Sequence, residues 1–328
     1  MGDAKTFSSA ESTIACNNGV PFHDGDIIVR STTAQVDFRI HKAFLAVASP
    51  FFRDMFSLPQ NEAPSRSASV EDMKDGLPIV PFEEDPQTLG TLIQLCYPRW
   101  MLLDCKPIFP TIERVLPVLI AAKKYAMDGV EREVRAVLIS PRFVDPDPLR
   151  VFALAVKHGM YEEAKICARH TLRTPVLAKQ YIPELENITA GAYYHLQDYH
   201  IRCGAVAAGV VQDVRWIINE TSVWFDCSGC RGGSPPVMIS GDKRKWVAKW
   251  WADFMMEAGN LLRDCPSGVV VGVDSHVVQM AMEKASTCVA CRSRALREIK
   301  EFCAIFSAQV DKMVDGVEFS YLAPNGIA

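Results

Sequence analysis

The sequence predicts an α+β protein, and three patterns along its 328 residues support that prediction. Short runs rich in β-branched residues come first, apolar residues at helical spacing follow, and the last third gathers most of the tryptophan. At roughly 150 residues per domain, the length favours about two domains. A net charge of −4 and 49% hydrophobic residues are typical of a globular chain and argue against a disordered one.

The first strands are predicted in two β-branched runs, DIIVRS (26–31) and VDFRI (36–40), which lie about a turn apart. The second run alternates apolar and polar residues, so we expect the two strands to form a hairpin. The residues before them (1–20) are polar and aperiodic, and we expect them to form a flexible tail.

Two helices are predicted directly after the hairpin. HKAFLAVAS (41–49) places apolar residues on one helical face, and Pro50, acceptable in a first helical turn, opens PFFRDMF. The polar stretch from Gln60 to Gly76 is expected to be a loop. LPIVPF (77–82) can form a short strand, which its prolines would confine to the edge of a sheet.

Helical patterns dominate the rest of the chain. Asp85 and Pro86 are typical of a helix start, and the apolar spacing continues to Pro98. A second start signal is the cluster from Asp145 to Pro148. Further helices are expected over Ile112–Ala126, Val130–Ile139, 149–159 and Tyr161–Leu172, and after Thr189.

One run of residues carries a family resemblance. It reads F-x-x-H-K-x-x-L-x-x-x-S-x-F-F-x-x-M-F, a combination that chance rarely assembles. With GDIIVRS before it and a capped helix ending in LCYP after it, the chain resembles a BTB/POZ domain over residues 25 to about 140. The downstream helices DPLRVFALA and PELENITAGAYYHL resemble those of BTB proteins of basidiomycete fungi. The residues of the run are Phe38, His41, Lys42, Leu45, Ser49, Phe51, Phe52, Met55 and Phe56.

The resemblance implies a small sheet surrounded by helices that forms a homodimer or binds another BTB-binding protein. It implies that Asp26 and Lys42 are the charged pair that lines the groove of dimeric BTB domains, with Lys in place of the frequent Arg. His41 would open the first helix as a partly buried, non-catalytic residue. The large apolar residues after it are expected in the core or the dimer seam, because they must be buried somewhere. The predicted partner-binding residues are Asp26, His41, Lys42, Phe52, Met55 and Phe56.

A cullin is an alternative partner that the same resemblance raises. BTB adaptors of cullin-type ubiquitin ligases often carry a hydrophobic-x-Glu signature shortly after the second helix. Here Glu62 stands at the acidic place, but Gln60 stands at the hydrophobic one. The departure argues against direct binding to a ligase.

Nucleic acid is a second alternative, raised by the segment DKRKW (242–246) and the residues Lys249, Trp250 and Trp251. Cations interleaved with aromatic rings are typical of nucleic-acid surfaces. The same pattern also fits a solvated helix face with Trp246 and Trp250 in the core. The near-balanced charge of the chain favours this second interpretation. Because the first interpretation stays open, a transcription or chromatin regulator is an alternative function.

Two of the cysteine pairs have the spacing of metal ligands. Cys227–Cys230 and Cys288–Cys291 are both C-x-x-C, a spacing that lets two thiolates bind one tetrahedral ion at about 2.3 Å. Gly229, Gly232 and Gly233 are expected to permit the tight backbone of a zinc knuckle. The second pair is expected at the start of a long helix, where the thiol pKa is lowered. A knuckle and a helix-start pair resemble a treble-clef arrangement.

We therefore predict a structural Zn²⁺ bound by Cys227, Cys230, Cys288 and Cys291, with no open position for water. Two alternatives stay open. Either pair could be a redox pair, although no βαβ pattern of thioredoxin type surrounds them. The thiols could also be unbound.

No enzyme motif stands out in the sequence. G-x-S-x-G, the P-loop, G-x-G-x-x-G and H-E-x-x-H are absent, so we predict a non-enzymatic protein without catalytic residues. Apolar runs fall short of the roughly 18 residues that span a membrane, and we expect a cytoplasmic or nuclear protein. The predicted domains are a tail (1–20), a BTB/POZ domain (21–142), a helical extension (143–215) and a mainly helical, cysteine-rich module (216–328).

Overall fold

A computed structural model gives the architecture of the chain. It describes residues 24–58, 73–98, 108–175, 181–232 and 235–321. The chain divides into two compact units, the first ending at Ser140 and the second beginning at Pro141. In the described part of the chain, no helix has both the length and the apolar character that a membrane span requires.

The first unit contains a four-stranded sheet in the order β2-β1-β4-β3. β1 and β2 form the predicted antiparallel hairpin. β4 runs parallel to β1 and antiparallel to β3, so the expectation that β4 is an edge strand is wrong. The strands are β1 (Ile27–Ser31), β2 (Val36–Ile40), β3 (Met73–Lys74) and β4 (Leu77–Phe82).

The backbone alternation of β4 explains how an inner strand tolerates its second proline. The Phe82 carbonyl accepts a hydrogen bond from the Thr32 N–H at 2.8 Å, so Phe82 faces β1. Successive residues of a strand face opposite sides, and Pro81 therefore faces outward. β3 pairs only with Leu77 and Pro78, and within the described residues no strand requires an N–H from Pro81.

Helices surround this sheet, and their start signals are local. Asp85 accepts hydrogen bonds from the N–H groups of Gln87 and Thr88, which confirms the predicted cap. Ser49 is fully buried. Its hydroxyl oxygen caps α2, and the same hydroxyl donates a hydrogen bond to the Tyr125 carbonyl at 2.6 Å. The helices are α1 (Lys42–Ala48), α2 (Pro50–Ser57), α3 (Pro86–Cys96), α4 (Val115–Lys124) and α5 (Asp128–Leu138).

The second unit is mainly helical. Asp147 and Thr189 cap α7 and α9, as their positions predict. A short hairpin of β5 (Val237–Ile239) and β6 (Lys243–Lys245) interrupts the helices. The helices are α6 (Pro141–Val144), α7 (Pro148–Lys157), α8 (Tyr161–Thr171), α9 (Ala190–Gln212), α10 (Val223–Asp226), α11 (Lys249–Asp264), α12 (His276–Ser286), α13 (Val289–Arg292) and α14 (Ala295–Asp315).

An aromatic core connects α10, α11 and α14. The rings of Trp224 and Trp251 stack with centroids 6.0 Å apart, and Phe302 meets both rings edge-on. Burial of these rings stabilises the unit, because each ring removes a large apolar area from water. Leu296 and Met313 fit the predicted apolar period of α14, but both are exposed.

The finer predicted division of these residues stays a prediction. Within the second unit, α9 from the predicted helical extension packs against α11 from the predicted C-terminal module. Their axes approach closely, because glycine stands at the crossing. A Cβ atom on Gly204 would lie 2.3 Å from the Arg263 carbonyl oxygen, and one on Gly259 would lie 2.6 Å from Val211.

Candidate metal centre

The four predicted ligand cysteines meet at one point of the second unit. Their Sγ atoms all lie within 4.8 Å of one another. The Cys227 and Cys288 sulfurs are 3.7 Å apart, and the Cys230 and Cys291 sulfurs are 3.8 Å apart. Four sulfurs placed about 2.3 Å from a tetrahedral ion lie about 3.8 Å from one another. The arrangement can therefore hold a metal ion.

The first pair is placed by the end of α10 and a 3-10 turn. Cys227 directly follows α10, and the turn runs from Ser228 to Cys230. Gly229 and Gly232 do not adopt positive φ angles, and a Cβ atom at either position would meet nothing within 4 Å. The expectation that the turn needs these glycines is therefore wrong, and the predicted role of Gly233 lies outside the described residues.

The second pair lies on a short helix rather than a long one. Cys288 precedes α13, which ends at Arg292, and α14 begins only at Ala295. The expectation of one continuous helix is wrong, because apolar periodicity alone does not register this break. The helix start still exposes backbone N–H groups, and the proximity of those of Cys291 and Ala290 favours the thiolate form of Cys288.

Three of the four thiols have shifted pKa values, and the shifts have opposite directions. The backbone N–H groups and the neighbouring thiols lower the pKa of Cys288 to about 6. Burial raises the pKa of Cys291 to about 11 and raises that of Cys230 as well. A bound cation would favour the thiolate at every position, since metal ligation requires deprotonated sulfur.

Charged side chains join the two arms of the centre, which are the Cys227–Cys230 pair after α10 and the Cys288–Cys291 pair at α13. Glu298, one turn into α14, accepts from the Val223 N–H at 2.6 Å and thereby caps the start of α10. Arg294 donates to Glu298 at 2.7 Å and reaches Asp226 at 3.6 Å. Because Asp226 directly precedes Cys227, this network places the first cysteine pair against the second.

Trp250 contributes a contact that the sequence analysis does not anticipate. Its indole N–H donates to the Cys291 sulfur at 3.4 Å, and both side chains are buried. Hydrogen bonds to a ligand atom orient it and tune its affinity for metal. No local sequence signal indicates this role, because the two residues are 41 positions apart.

We expect Trp250→Phe to weaken metal binding about tenfold. The phenyl ring keeps most of the apolar packing but removes the only hydrogen bond donated by the indole. Competition with a chromophoric chelator would measure the change in affinity. Trp246→Phe is the matched control because Trp246 is 54% exposed, and it should leave the affinity unchanged. Equal affinities for both variants and the native chain would contradict a role for the indole.

Redox activity of the pairs stays an alternative. Every cysteine that the structure describes is a free thiol. The contacts of 3.7 and 3.8 Å join one pair to the other, whereas a C-x-x-C redox centre works within one pair. The geometry therefore favours four sulfurs that act together.

The predicted partner-binding residues lie directly before β1, at the start of α1 and in α2. The Asp26 carboxylate accepts from the Lys42 backbone N–H at 2.7 Å. The Lys42 ammonium forms no ion pair among the described residues, so the two are linked through the backbone rather than as a side-chain pair. The half-buried His41 donates its backbone N–H to the Tyr97 hydroxyl.

The apolar members of that set divide between core and surface. Phe52 is only 1% exposed and stacks on Phe82 with ring centroids 5.4 Å apart. It therefore belongs to the core, which was one of its two expected locations, the other being the dimer seam. Met55 and Phe56 are half-buried. A partner role for Asp26, His41, Lys42, Met55 and Phe56 stays a prediction.

Three exposed apolar side chains lie outside the predicted partner-binding set, although Phe51 is one of the residues expected in the core or the dimer seam. Val47, Phe51 and Leu58 project from α1, from α2 and from the residue after α2. Helical spacing does not relate the three, because the backbone is extended at Ser49 between the two helices and again at Leu58. They add exposed apolar area to the two helices that carry Lys42, Met55 and Phe56.

The basic segment after β5 is a strand and not a helix. Lys243 and Lys245 lie in β6, and both pair with Glu220. Trp246 precedes α11 and is exposed, so the expectation that it shares the core with the buried Trp250 is wrong. Partial neutralisation by Glu220 weakens the argument for nucleic acid, which rests on unpaired positive charge.

The cullin signature cannot be placed. Gln60 and Glu62, like most of the predicted loop from Gln60 to Gly76, lie outside the described residues.

A comparison with protein families finds one match. Residues 21–141 match the model of the BTB/POZ domain. This finding supports the predicted fold class, a small sheet with surrounding helices followed by a mainly helical, cysteine-rich region. No curated protein matches the chain significantly. The finer resemblance to basidiomycete proteins stays a prediction.

Proposed function

We propose that this chain is a non-enzymatic interaction protein that self-associates, or binds another BTB-binding protein, through residues 21–141. The family match carries the proposal, because the BTB/POZ domain is a protein-interaction module. A structural zinc ion on the four cysteines stabilises the second unit in this proposal. Cytoplasm or nucleus is the compartment that such a protein, with reduced thiols, would occupy.

The exposed apolar side chains of the first unit support self-association. Val47, Phe51 and Leu58 are large and exposed, and they lie on or directly after α1 and α2. Burial of apolar surface stabilises an interface by about 25 cal/mol per Å² before the costs of association. Phe51 is the strongest anchor, since aromatic side chains dominate the energetics of interfaces.

We expect the full chain to sediment as a dimer at micromolar concentration and Phe51→Asp to sediment as a monomer. The substitution places a charge in the seam, so the dimer affinity should fall at least about 100-fold. Phe51 is 53% exposed, and the fold should tolerate the change.

Ile120→Asp on α4 is the matched control, because Ile120 is 52% exposed and the substitution adds the same charge. This variant should remain dimeric. A native chain that stays monomeric up to about 100 μM, with no binding to any other BTB domain, would overturn the proposal.

Zinc is the metal that the donor set fits best. Four thiolates at tetrahedral spacing match structural zinc sites, and a full set of protein sulfurs leaves no position for water or substrate. A bound zinc ion would neutralise part of the thiolate charge and hold α10 and α13 together. Elemental analysis of the purified full chain should show one zinc per chain. Purification without metal, followed by no uptake of added zinc, would contradict this part of the proposal.

A further inference from the structure

A preformed groove lies in the second unit, between α14 and the segment from Trp216 to Ser222. Its volume is about 270 Å³. Aromatic rings of Trp216, Trp224 and Phe302 line it, and the exposed side chains of Ile218 and Ile305 rim it. Concave apolar sites with a few polar groups are typical of binding sites.

Hydrogen bonds hold the segment in place. The Trp216 indole donates to the Val210 carbonyl at 2.9 Å, and the Ser240 N–H donates to the Ile217 carbonyl at 3.1 Å. Arg294 donates to the Thr221 carbonyl at 2.5 Å. The walls therefore need little reordering to receive a ligand, which lowers the entropic cost of binding.

The charge of the groove is acidic. Glu298 and Glu301 line it, and no lysine or arginine is among its lining residues in the described part of the chain. Arg294 and the Val223 N–H already satisfy Glu298. Glu301 is exposed and forms no ion pair among the described residues, so its carboxylate is available to a ligand cation.

Two large apolar side chains at the rim of the groove are exposed to water, so their burial by a ligand would be favourable. Ile218 is 80% exposed and Ile305 is 57% exposed, and both border the same cavity. An aliphatic stem can pack on isoleucine and on aromatic rings while its cationic head reaches a carboxylate. Lysine and arginine side chains have this composition.

We propose that the groove binds a basic peptide segment of a partner protein, which inserts a lysine or arginine side chain beside Glu301. The aromatic floor holds the aliphatic stem, and Glu301 pairs with the ammonium or guanidinium group. The site lies within the second unit, and binding there does not depend on self-association.

The test uses the full chain and the fluorescein-labelled peptide Gly-Ser-Leu-Arg-Leu-Ser-Gly in a fluorescence anisotropy titration. Two further peptides replace arginine by its neutral isostere citrulline or by glutamate. The arginine peptide should bind about tenfold more tightly than the citrulline peptide, and the glutamate peptide should not bind. Equal affinity for all three peptides, or no binding at millimolar protein, would overturn the proposal.

Variants locate the binding. Glu301→Gln should weaken the arginine peptide about fivefold and leave the citrulline peptide unchanged, because it removes only the charge. Glu257→Gln on α11, also an exposed carboxylate, is the control and should change neither. Binding that Glu301→Gln does not alter would place the peptide elsewhere. The groove could instead be covered by a second copy of the chain. In that case Ile218→Asp would sediment as a smaller species than the native chain, and the native chain would not bind the peptide. This result would also overturn the proposal.

Discussion

Cys227→Ser and Cys288→Ser are each expected to abolish stoichiometric zinc binding and to unfold the aromatic core of the second unit. The two residues come from different pairs, and their sulfurs are 3.7 Å apart in the same cluster. A structural zinc ion contributes about 10 to 16 kcal/mol of apparent binding free energy at neutral pH. The whole stability of a domain is about 5 to 15 kcal/mol, so this loss has the largest effect of any single change.

The measurement combines elemental analysis with near-ultraviolet circular dichroism. Trp250 donates to the Cys291 sulfur and contacts Trp224, which stacks on Trp251. The near-ultraviolet signal of these three rings should therefore disappear with the metal. Cys265→Ala is the matched control. Cys265 is buried in the same unit but outside the cluster, and its truncation should cost about 1 kcal/mol with zinc retained.

The pattern across both variants distinguishes one shared site from two independent pairs. A shared site predicts that each variant loses the whole metal ion. Independent pairs predict that each variant keeps half of the bound zinc, and this result would refute the shared centre. Full zinc content in either variant would exclude the substituted cysteine as a ligand.

The metal centre shows what sequence can predict about a site of this kind. Ligand spacing is local, so C-x-x-C identified all four cysteines. The hydrogen bond from Trp250 to Cys291 depends on how α11 packs beside α13, and nothing within either segment encodes it. The same is true of Arg294 and Asp226, which join the two arms across 68 positions.

The fold divides in the same way. The caps Asp85, Asp147 and Thr189 could be predicted because a capping side chain bonds the backbone two or three residues onward. The inner position of β4 could not be predicted. Its prolines show which N–H groups the strand lacks, but they do not show which strands lie on its two sides. Trp246 was misplaced for a related reason, since helical spacing was assumed across residues that form β6 and the turn after it.

Gly204→Ala is expected to destabilise the second unit by about 3 kcal/mol. Gly204 lies in α9 where it crosses α11, and an added Cβ atom would stand 2.3 Å from the Arg263 carbonyl oxygen. The clashing atom belongs to the backbone, so the contact is relieved only if the two helices separate. α11 also carries Trp250, and a shift of this helix should weaken the hydrogen bond to Cys291 and speed the release of zinc to a chelator.

Gly209→Ala in the same helix makes the comparison decisive. A Cβ atom at Gly209 would meet nothing within 4 Å, and alanine is favoured over glycine inside a helix by about 0.5 to 1 kcal/mol. The same chemical change, five positions apart, should therefore have opposite signs in urea unfolding followed by tryptophan fluorescence. Equal destabilisation by both variants would mean that the loss of stability does not come from the close crossing at Gly204, because Gly209 has no such contact. Stabilisation by both would show that α9 and α11 can separate without cost, and that the position of Trp250 does not depend on their contact.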